Sequence, residues 1–436
     1  MTPTLGQRIW LRLYSLALAL AFPLTLYHLV WRGLRQREYL LRWSERYTFF
    51  GRRLDLHGSI WVHAVSVGEV NAAQPLVEAL LARYPQRRVL VTTITPTGSA
   101  RARSLWGERV EHVYLPYDLR LLVRRFLDTA RPALAIIVET EIWLNLYSEC
   151  AQRGIPLMMV NARLSERSLR GYLVMRSLAR LALGAVSWVS AQAEADAQRL
   201  IRIGADPAKV KVSGSLKFDL RLPAGLIEQA VERRAGWGAS RPVWIAASTH
   251  GPEEDAIVQM HARVRARHPE ALLLWAPRHP ARFSAVAKAA REAGWQVAVR
   301  SADGLPTADA QAFVIDSLGE LLSFYACADI AFVGGSLCDV GGHNVLEPAA
   351  LGVPVLVGPQ TFNFAEITAQ LAEAGALRQL PDAESLAAEL VTLLAAPERR
   401  AAMATAGREQ VQRSAGALER TLGLVAQLLP GEAVIA

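Results

Sequence analysis

The chain is poor in cysteine and lacks the common catalytic and metal-binding motifs. Its three cysteines, Cys150, Cys327 and Cys338, fit neither a disulfide framework nor a zinc site, which favours a reducing, cytoplasmic compartment. No P-loop, no Gly-x-Ser-x-Gly motif and no zincin motif occurs. The histidines, including His63 and His343, have no metal-ligand spacing, so we expect structural roles for them and no metal site.

Acidic residues are fewer than basic ones. The chain has 48 Lys and Arg against 40 Asp and Glu, a net charge of +8. This excess suggests an anionic partner, which composition alone leaves open between a membrane surface, nucleic acid and a phosphorylated substrate. A hydrophobic fraction of 52% excludes wholesale disorder, and a length of 436 residues predicts two domains.

Charge is absent from one N-terminal run. Between Leu13 and Trp31 there is no Asp, Glu, Lys or Arg, and a bilayer span needs about 20 apolar residues. A cleaved signal peptide is the competing interpretation, but the positive charge follows the run instead of preceding it. We therefore expect an uncleaved anchor, spanning or interfacial, with its basic side at the cytoplasmic surface. The basic residues that follow are Arg32, Arg35, Arg37, Arg42, Arg46, Arg52 and Arg53.

Short apolar runs alternate with amphipathic segments in two series after this anchor. The pattern predicts α/β architecture: two Rossmann-like domains with parallel sheets, facing each other across a cleft. A segment from Ser213 to Gly225 reads as the hinge between them. The predicted strands are 60–65, 88–93, 134–139, 155–161 and 186–192, then 243–248, 272–276, 296–300, 312–316, 330–334 and 353–358.

A glycine-rich stretch in the second series predicts a nucleotide site. The apolar run ending at Val333 leads into Gly334-Gly335 and Gly341-Gly342, and a helix is expected to begin at or near Asn344. Glycines allow backbone to approach a phosphate, and a helix N-terminus favours anions. An ordinary glycine-rich turn before a surface helix is the alternative.

Two groups of carboxylates follow predicted strands of the first series. Glu69 stands at a helix start, where it could act as a base, although Ser66 and Glu69 also fit a capping box that needs no function. Glu139 and Glu141 lie at the carboxyl end of the predicted strand 134–139, and alternation would point both the same way. Simple helix-start acids are the alternative for this pair.

Cations and further acids also follow predicted strand ends. Lys217 lies in the expected hinge, where exposed lysines without a ligand are common. In the second series, Arg278 and Arg282 offer guanidiniums for a phosphate or a carboxylate. Glu320 follows the strand that ends at Asp316.

Taken together, these segments resemble one known family. Across nearly the whole chain and in order, they are similar to the bacterial 3-deoxy-D-manno-octulosonic acid (Kdo) transferases. The segments are Ser66–Glu69, Thr95–Gly98, Tyr114–Asp118, Glu139–Trp143, Asn161–Ser165, Gly214–Asp219, Pro277–Pro280 and Gly341–Glu347.

The resemblance implies a GT-B glycosyltransferase with assigned site residues. It implies transfer of Kdo from CMP-Kdo to the 6′-hydroxyl of a lipid A precursor, with inversion and without a metal or other cofactor. By position, Glu69 matches the catalytic base, and Glu139 and Lys217 match residues that stabilise the transition state. The CMP-Kdo-binding positions are Pro277, Arg278, Leu318, Gly319, Glu320, Asn344, Val345, Leu346 and Glu347.

The resemblance also implies a domain plan and a location. We expect an anchor in residues 1–35, an acceptor-binding domain in 36–220 and a CMP-Kdo-binding domain in 221–436. The enzyme would lie on the cytoplasmic side of the inner membrane, in contact with its lipid surface and with no nucleic acid. The alternatives are another GT-B transferase that uses a UDP-sugar, a related epimerase, or a membrane-bound scaffold or RNA-binding protein.

Overall fold

A computed structural model describes residues 5–51, 54, 56–220 and 222–429 of the chain. It divides into two units, one of Met1–Asp219 with Ala415–Ala436 and the other of Leu220–Ser414. Arg52 and Arg53, which belong to the predicted basic cluster, lie outside the described residues.

The first unit contains a parallel sheet of seven strands in the order β3-β2-β1-β4-β5-β6-β7. Its strands are β1 Ile60–His63, β2 Val89–Thr93, β3 Glu111–Tyr114, β4 Leu134–Val138, β5 Leu157–Ala162, β6 Trp188–Ala191 and β7 Val210–Val212. Its helices up to that point are α1 Leu5–Leu20, α2 Phe22–Arg35, α3 Val67–Arg83, α4 Pro96–Trp106, α5 Arg120–Ala130, α6 Leu144–Gln152, α7 Glu166–Val174, α8 Arg176–Leu183 and α9 Glu194–Ile203.

Burial on both faces explains the continuous apolar runs of the strands. In β4, Ala135 and Ile137 belong to one apolar cluster, whereas Ile136 and Val138 belong to another. All five residues of the strand are buried. Parallel sheets need helices on both faces to cover them, because each crossover between parallel strands runs over one face.

The second unit repeats this architecture with a parallel sheet in the order β10-β11-β9-β8-β12-β13-β14. Its strands are β8 Val243–Thr249, β9 Leu272–Pro277, β10 Val297–Val299, β11 Ala312–Val314, β12 Ile330–Val333, β13 Val355–Val357 and β14 Leu377–Gln379. Its helices are α10 Leu226–Trp237, α11 Glu254–Arg267, α12 Phe283–Glu292, α13 Arg300–Asp303, α14 Leu321–Tyr325, α15 Leu346–Leu351, α16 Ala365–Glu373, α17 Ala383–Leu394 and α18 Pro397–Ser414. The predicted α/β class with two parallel sheets is therefore confirmed.

The last helix, α19 (Ala417–Leu428), belongs to the first unit. The domain plan from the sequence placed it in the second, so the structure corrects that assignment. Leu418, Leu422 and Val425 pack in the same apolar cluster as α3. The carboxylate of Asp219 accepts hydrogen bonds from the backbone N–H groups of Gly416 and Leu418, which fixes the start of the helix.

The apolar N-terminal run forms two helices instead of one. Within the described part of the chain, no single helix is long and apolar enough to cross a membrane, and Ile9–Leu20 with Phe22–Arg35 pass that test only together, bent by 46°. The break falls at Ala21, two residues before Pro23, whose ring favours the first turn of a helix and disfavours its interior. Polar side chains of α1 bond to the first unit: Tyr14 to Asp118 and Ser15 to Asn145.

Candidate active site

Glu69 lies in the first turn of α3, directly beyond the carboxyl end of β1. Its Oε2 accepts the Val65 N–H at 2.8 Å, and its Oε1 accepts the Ser66 hydroxyl at 3.0 Å. Ser66 in turn caps α3 by accepting the Glu69 N–H. The capping interpretation is therefore correct for Ser66, while the Glu69 carboxylate remains at the sheet edge, 8% exposed.

The environment of Glu69 favours a protonated carboxyl more than water does. Burial, opposed by the Val65 hydrogen bond, raises the pKa of Glu69 from 4.5 to about 7. The negative charges of Glu139 and Glu141 raise this pKa further, so the three acids share one electrostatic environment. A carboxylate with a pKa near neutrality can take up and release a proton at physiological pH.

Glu139 and Glu141 leave the sheet in a way that alternation did not predict. Strand β4 ends at Val138, and Glu139 has a left-handed backbone with φ of 61°. Strand alternation therefore does not extend over these two residues. Glu141 is held separately, since Trp143 Nε1 donates to its carboxylate and the Tyr147 hydroxyl to its carbonyl. Burial and the Glu139 charge raise the pKa of Glu141.

Lys217 lies on a short helical turn, Leu216–Phe218, that packs on the first unit. Leu216 is fully buried in the cluster that also holds Val138 and Val160. Its N–H donates to Oδ1 of Asn161, 3.1 Å away, at the end of β5. The boundary between the two units follows Asp219, inside the predicted 213–225 segment. Lys217 itself stands on a packed turn of the first unit, at the carboxyl edge of the sheet.

Arg278 and Arg282 differ in what they contact in the second unit. Arg278 is exposed, and its N–H donates to the Thr249 carbonyl, so it follows β9 beside the end of β8. Arg282 instead donates two hydrogen bonds to the Glu254 carboxylate. Of the two predicted guanidiniums, Arg278 is the one available for an anion.

The segment Leu318–Glu320 forms a turn past β11. Gly319 has φ of 87°, a conformation that favours glycine, and Leu318 is 71% exposed. Arg300 donates to both oxygens of Glu320 at 2.9 and 2.7 Å, and this pairing lowers the pKa of Glu320 to about 2. The carboxylate is therefore ionised and held in place.

The helix expected at or near Asn344 begins at Leu346. Oδ1 of Asn344 accepts the Leu346 N–H at 3.0 Å, and Nδ2 donates to the Glu347 carboxylate at 3.0 Å. Burial raises the pKa of Glu347, and the Asn344 hydrogen bond opposes that shift. Val345 and Leu346 are buried, so of the four predicted positions only Asn344 and Glu347 offer polar side chains.

The residue that shapes the glycine-rich loop, Glu253, was not among the predicted site residues. Glu253 is fully buried, and its carboxylate accepts the N–H groups of Gly335 and Leu337 at 2.7 and 2.9 Å. A Cβ on Gly334 would lie 2.8 Å from the Ser248 carbonyl oxygen. Gly334 therefore serves close packing in the loop. The position of Glu253, just past β8 as Glu69 is just past β1, was the signal that could have identified it.

A histidine pair also lies at this edge. Nε2 of His250 is 2.8 Å from Nε2 of His343, with the rings stacked 5.1 Å apart. Burial and the neighbouring His250 and Arg278 lower the pKa of His343 to about 4. One proton between the two nitrogens satisfies both, which agrees with the structural role expected for His343.

Two family models with different descriptions match the two halves of the chain. Residues 41–220 match the family model described as 3-Deoxy-D-manno-octulosonic-acid transferase (kdotransferase), and residues 302–410 match Glycosyl transferases group 1. A 3-deoxy-D-manno-octulosonic acid transferase of Haemophilus influenzae is 39% identical over 419 residues, 96% of this chain and 98% of that protein. One of Bordetella pertussis is 39% identical over 423 residues, 94% and 97% of the two chains.

A solved structure resembles the fold at much lower identity. UDP-GlcNAc 2-epimerase from Neisseria meningitidis, bound to UDP-GlcNAc, is 15% identical with a TM-score of 0.55, and the match covers 85% of this chain and 100% of that one. At this identity the likeness supports the two-sheet α/β fold alone.

Proposed function

This chain belongs to the Kdo transferase family, and we propose that it transfers Kdo from CMP-Kdo to the 6′-hydroxyl of a tetraacylated lipid A precursor. Family membership makes it a glycosyltransferase and removes the scaffold and RNA-binding alternatives. The observation that carries the proposal for the reaction is the Glu69 carboxyl, buried at a strand end with its pKa raised to about 7.

Glu69 acts as the general base. The acceptor hydroxyl oxygen forms a bond with the anomeric carbon of Kdo, the bond from that carbon to the CMP phosphate oxygen breaks, and CMP leaves with the electron pair. The hydroxyl proton passes to the Glu69 carboxylate. Attack from the face opposite CMP inverts the anomeric centre. A positioned base of this kind contributes about 10²- to 10⁴-fold to the rate.

Glu139 and Lys217 stabilise the transition state. Positive charge develops on the sugar ring and negative charge on the departing phosphate, so a carboxylate and an ammonium both have a role. The left-handed backbone of Glu139 and the buried Leu216 beside Lys217 support this assignment, because each fixes the backbone that carries a charged side chain at a strand end. Both features restrict the backbone at a cost in free energy, and a charge on a solvated surface needs no such restriction.

In the second unit, CMP-Kdo is bound by the segments after β9 and β11 and before α15. Arg278 offers a guanidinium to the phosphate, and the Arg300 pair holds Glu320 for hydroxyl or amino donors of the nucleoside. Asn344 and Glu347 add a polar pair that is hydrogen-bonded at 3.0 Å. Fixed side-chain charges carry out this recognition without a divalent metal.

The enzyme acts at the cytoplasmic surface of the inner membrane, as part of lipopolysaccharide biosynthesis. Apolar side chains of α1 and α2 are exposed. Such exposure is favourable on a surface that faces a membrane and unfavourable on a surface that faces water. The largest of these side chains are Trp10, Leu13, Leu16, Leu20, Leu24, Tyr27, Val30, Trp31 and Leu34. The exposed Arg37, in the short turn that follows α2, complements anionic headgroups.

The deciding experiment measures CMP release from CMP-Kdo with tetraacylated lipid A precursor in detergent and excess EDTA. We expect acceptor-dependent turnover by the wild type and a loss of about 10²- to 10⁴-fold in Glu69→Gln. Glu78→Gln is the matched control, since Glu78 lies on the same helix in an exposed ion pair with Arg109. Absence of wild-type turnover, or full activity of Glu69→Gln, would contradict the reaction or the base respectively, and UDP-sugars would then be the next donors to test.

A further inference from the structure

Three arginines and two tyrosines stack in one column between α2 and the edge of the first sheet. Arg32 lies over the ring of Tyr39 at 5.2 Å, and Arg46 lies over the same ring at 6.0 Å. Arg46 and Arg42 lie over the ring of Tyr114 at 4.2 and 5.4 Å. The column runs from the exposed Arg32 to the buried Arg46.

Among the residues that the structure describes, Arg42 is the one guanidinium of the three with a carboxylate partner. Arg42 donates to both oxygens of Glu45 at 2.7 and 2.8 Å. In the part of the chain that the structure describes, neither Arg32 nor Arg46 has a carboxylate within 4 Å. Arg46 is 3% exposed, and its Nε is buried without a hydrogen-bond partner. A buried charge without a counter-charge is costly, so an anion that approached this column would be strongly favoured.

The column is joined to the loop that holds Glu69. Nη2 of Arg46 donates to the Ile94 carbonyl at 2.7 Å. The Ile94 N–H donates to the Val65 carbonyl at 3.1 Å, and the Val65 N–H donates to Glu69. This hydrogen-bonded chain therefore fixes the position of a ligand group bound beside the column relative to the Glu69 carboxylate, which we assign as the base.

The donors at the exposed end fit a phosphate group. Nη1 of Arg32 donates to the Tyr39 hydroxyl at 2.7 Å, which leaves the hydroxyl proton to be donated to an anion. A guanidinium fork and a hydroxyl match two oxygens of one phosphate. A bilayer headgroup would need only exposed cations, whereas here an uncompensated charge lies buried behind the exposed one.

We propose that Arg32, Tyr39 and Arg46 form a subsite for a phosphate group of the acceptor lipid. The assignment rests on the proposed function, since the acceptor named there is phosphorylated. Arg32 and Tyr39 contact the phosphate, and Arg46 adds its uncompensated charge from behind the Tyr39 ring. The subsite selects phosphorylated acceptors and sets their hydroxyl relative to Glu69.

The test compares the tetraacylated lipid A precursor with its dephosphorylated form in neutral detergent micelles, which excludes anionic headgroups. We expect the wild type to prefer the phosphorylated lipid, and Arg32→Gln to reduce that ratio of kcat/KM by about tenfold to a hundredfold. Arg35→Gln is the matched control. Arg35 is exposed on the same helix and stacks on Trp31 at 4.1 Å, outside the column, so the ratio should not change.

Equal ratios in the wild type and Arg32→Gln, or the same fall in Arg35→Gln, would overturn the subsite. If the Arg46→Lys variant folds, it should also reduce the preference for the phosphorylated lipid. If it does not fold, the comparison of Arg32→Gln with Arg35→Gln tests the subsite. Equilibrium binding of the two lipids to the same variants separates this proposal from the proposed function. Loss of turnover with both lipids contradicts the reaction, while the binding ratio still tests the subsite.

Discussion

The Tyr14 hydroxyl donates a 2.9 Å hydrogen bond to Oδ2 of Asp118. This joins the first helix of the chain to the residue that caps α6, because Asp118 also accepts the N–H groups of Asn145 and Leu146 at 3.1 and 2.9 Å. Helix α6 follows the Glu139–Trp143 segment directly. The apolar N-terminal helix α1 is therefore bound to the first unit close to its candidate catalytic acids.

Replacing Tyr14 by Phe should destabilise the first unit by about 1–3 kcal/mol, since a buried carboxylate loses a hydrogen bond. Burial already raises the pKa of Asp118 to about 6, and the Tyr14 hydrogen bond opposes that rise. Urea unfolding measures the effect. Tyr27→Phe, at a tyrosine of α2 that is 70% exposed, is the control, and equal unfolding curves for the two variants would contradict the role of the Tyr14 contact.

The rate should depend on pH through Glu69. Because a general base must be ionised, kcat/KM should rise with pH through a midpoint near pH 7, where burial places the pKa of Glu69. The Glu141 charge contributes to that raised pKa, so Glu141→Gln should move the midpoint of the rise to lower pH by up to about one unit. Rates of both proteins across the pH range measure the shift. An unchanged midpoint in Glu141→Gln would contradict a contribution of the Glu141 charge to the pKa of the base.

Stability should also depend on pH through Glu69. Its pKa is about 7 in the native state against an ordinary 4.5, so between these values the native state keeps a proton that the unfolded state has lost. The free energy of unfolding from this group therefore falls as pH rises from about 4.5 to about 7. Glu69→Gln has no such loss and should gain about 1–3 kcal/mol relative to wild type over that window. Glu78→Gln should show no comparable trend, and a pH-independent difference for Glu69→Gln would count against the raised pKa.

The sequence predicted the buried centre of each sheet better than its margins. Strands such as β4 and β8 were found because burial on both faces requires a continuous apolar run. The three strands that were missed are β3, β7 and β14, and all are edge strands of three or four residues. In β7 and β14, two of the three residues are exposed, so little of the apolar pattern is present there.

At the site, the acids could be predicted from the sequence, but the backbone conformation that positions them could not. A residue type does not reveal that Glu139 adopts φ of 61° or that Lys217 stands on a packed turn. Glu253 was missed because its role depends on N–H groups more than 80 residues away. Strand-end position can be read from a pattern, whereas the partner of a side chain depends on tertiary structure.

Asn161 is the residue on which the placement of Lys217 depends. It is fully buried with φ of 53°, and its Oδ1 accepts the Leu216 N–H. Asn161→Ala and Asn161→Gly both remove this acceptor, so both should lower kcat by about tenfold, which is what a small misplacement of a charged group costs. They should differ in stability, because glycine tolerates a positive φ and alanine loses about 1 kcal/mol there.

Thermal unfolding and single-turnover rates of the two Asn161 variants separate these effects. The double variants with Lys217→Ala complete the measurement. If Asn161 acts by placing Lys217, its loss should reduce the rate little further once the ammonium is absent, so the two effects are not additive. Fully additive losses would mean that Asn161 supports the site by another route, whereas equal stability of the alanine and glycine variants would contradict the left-handed backbone at this position.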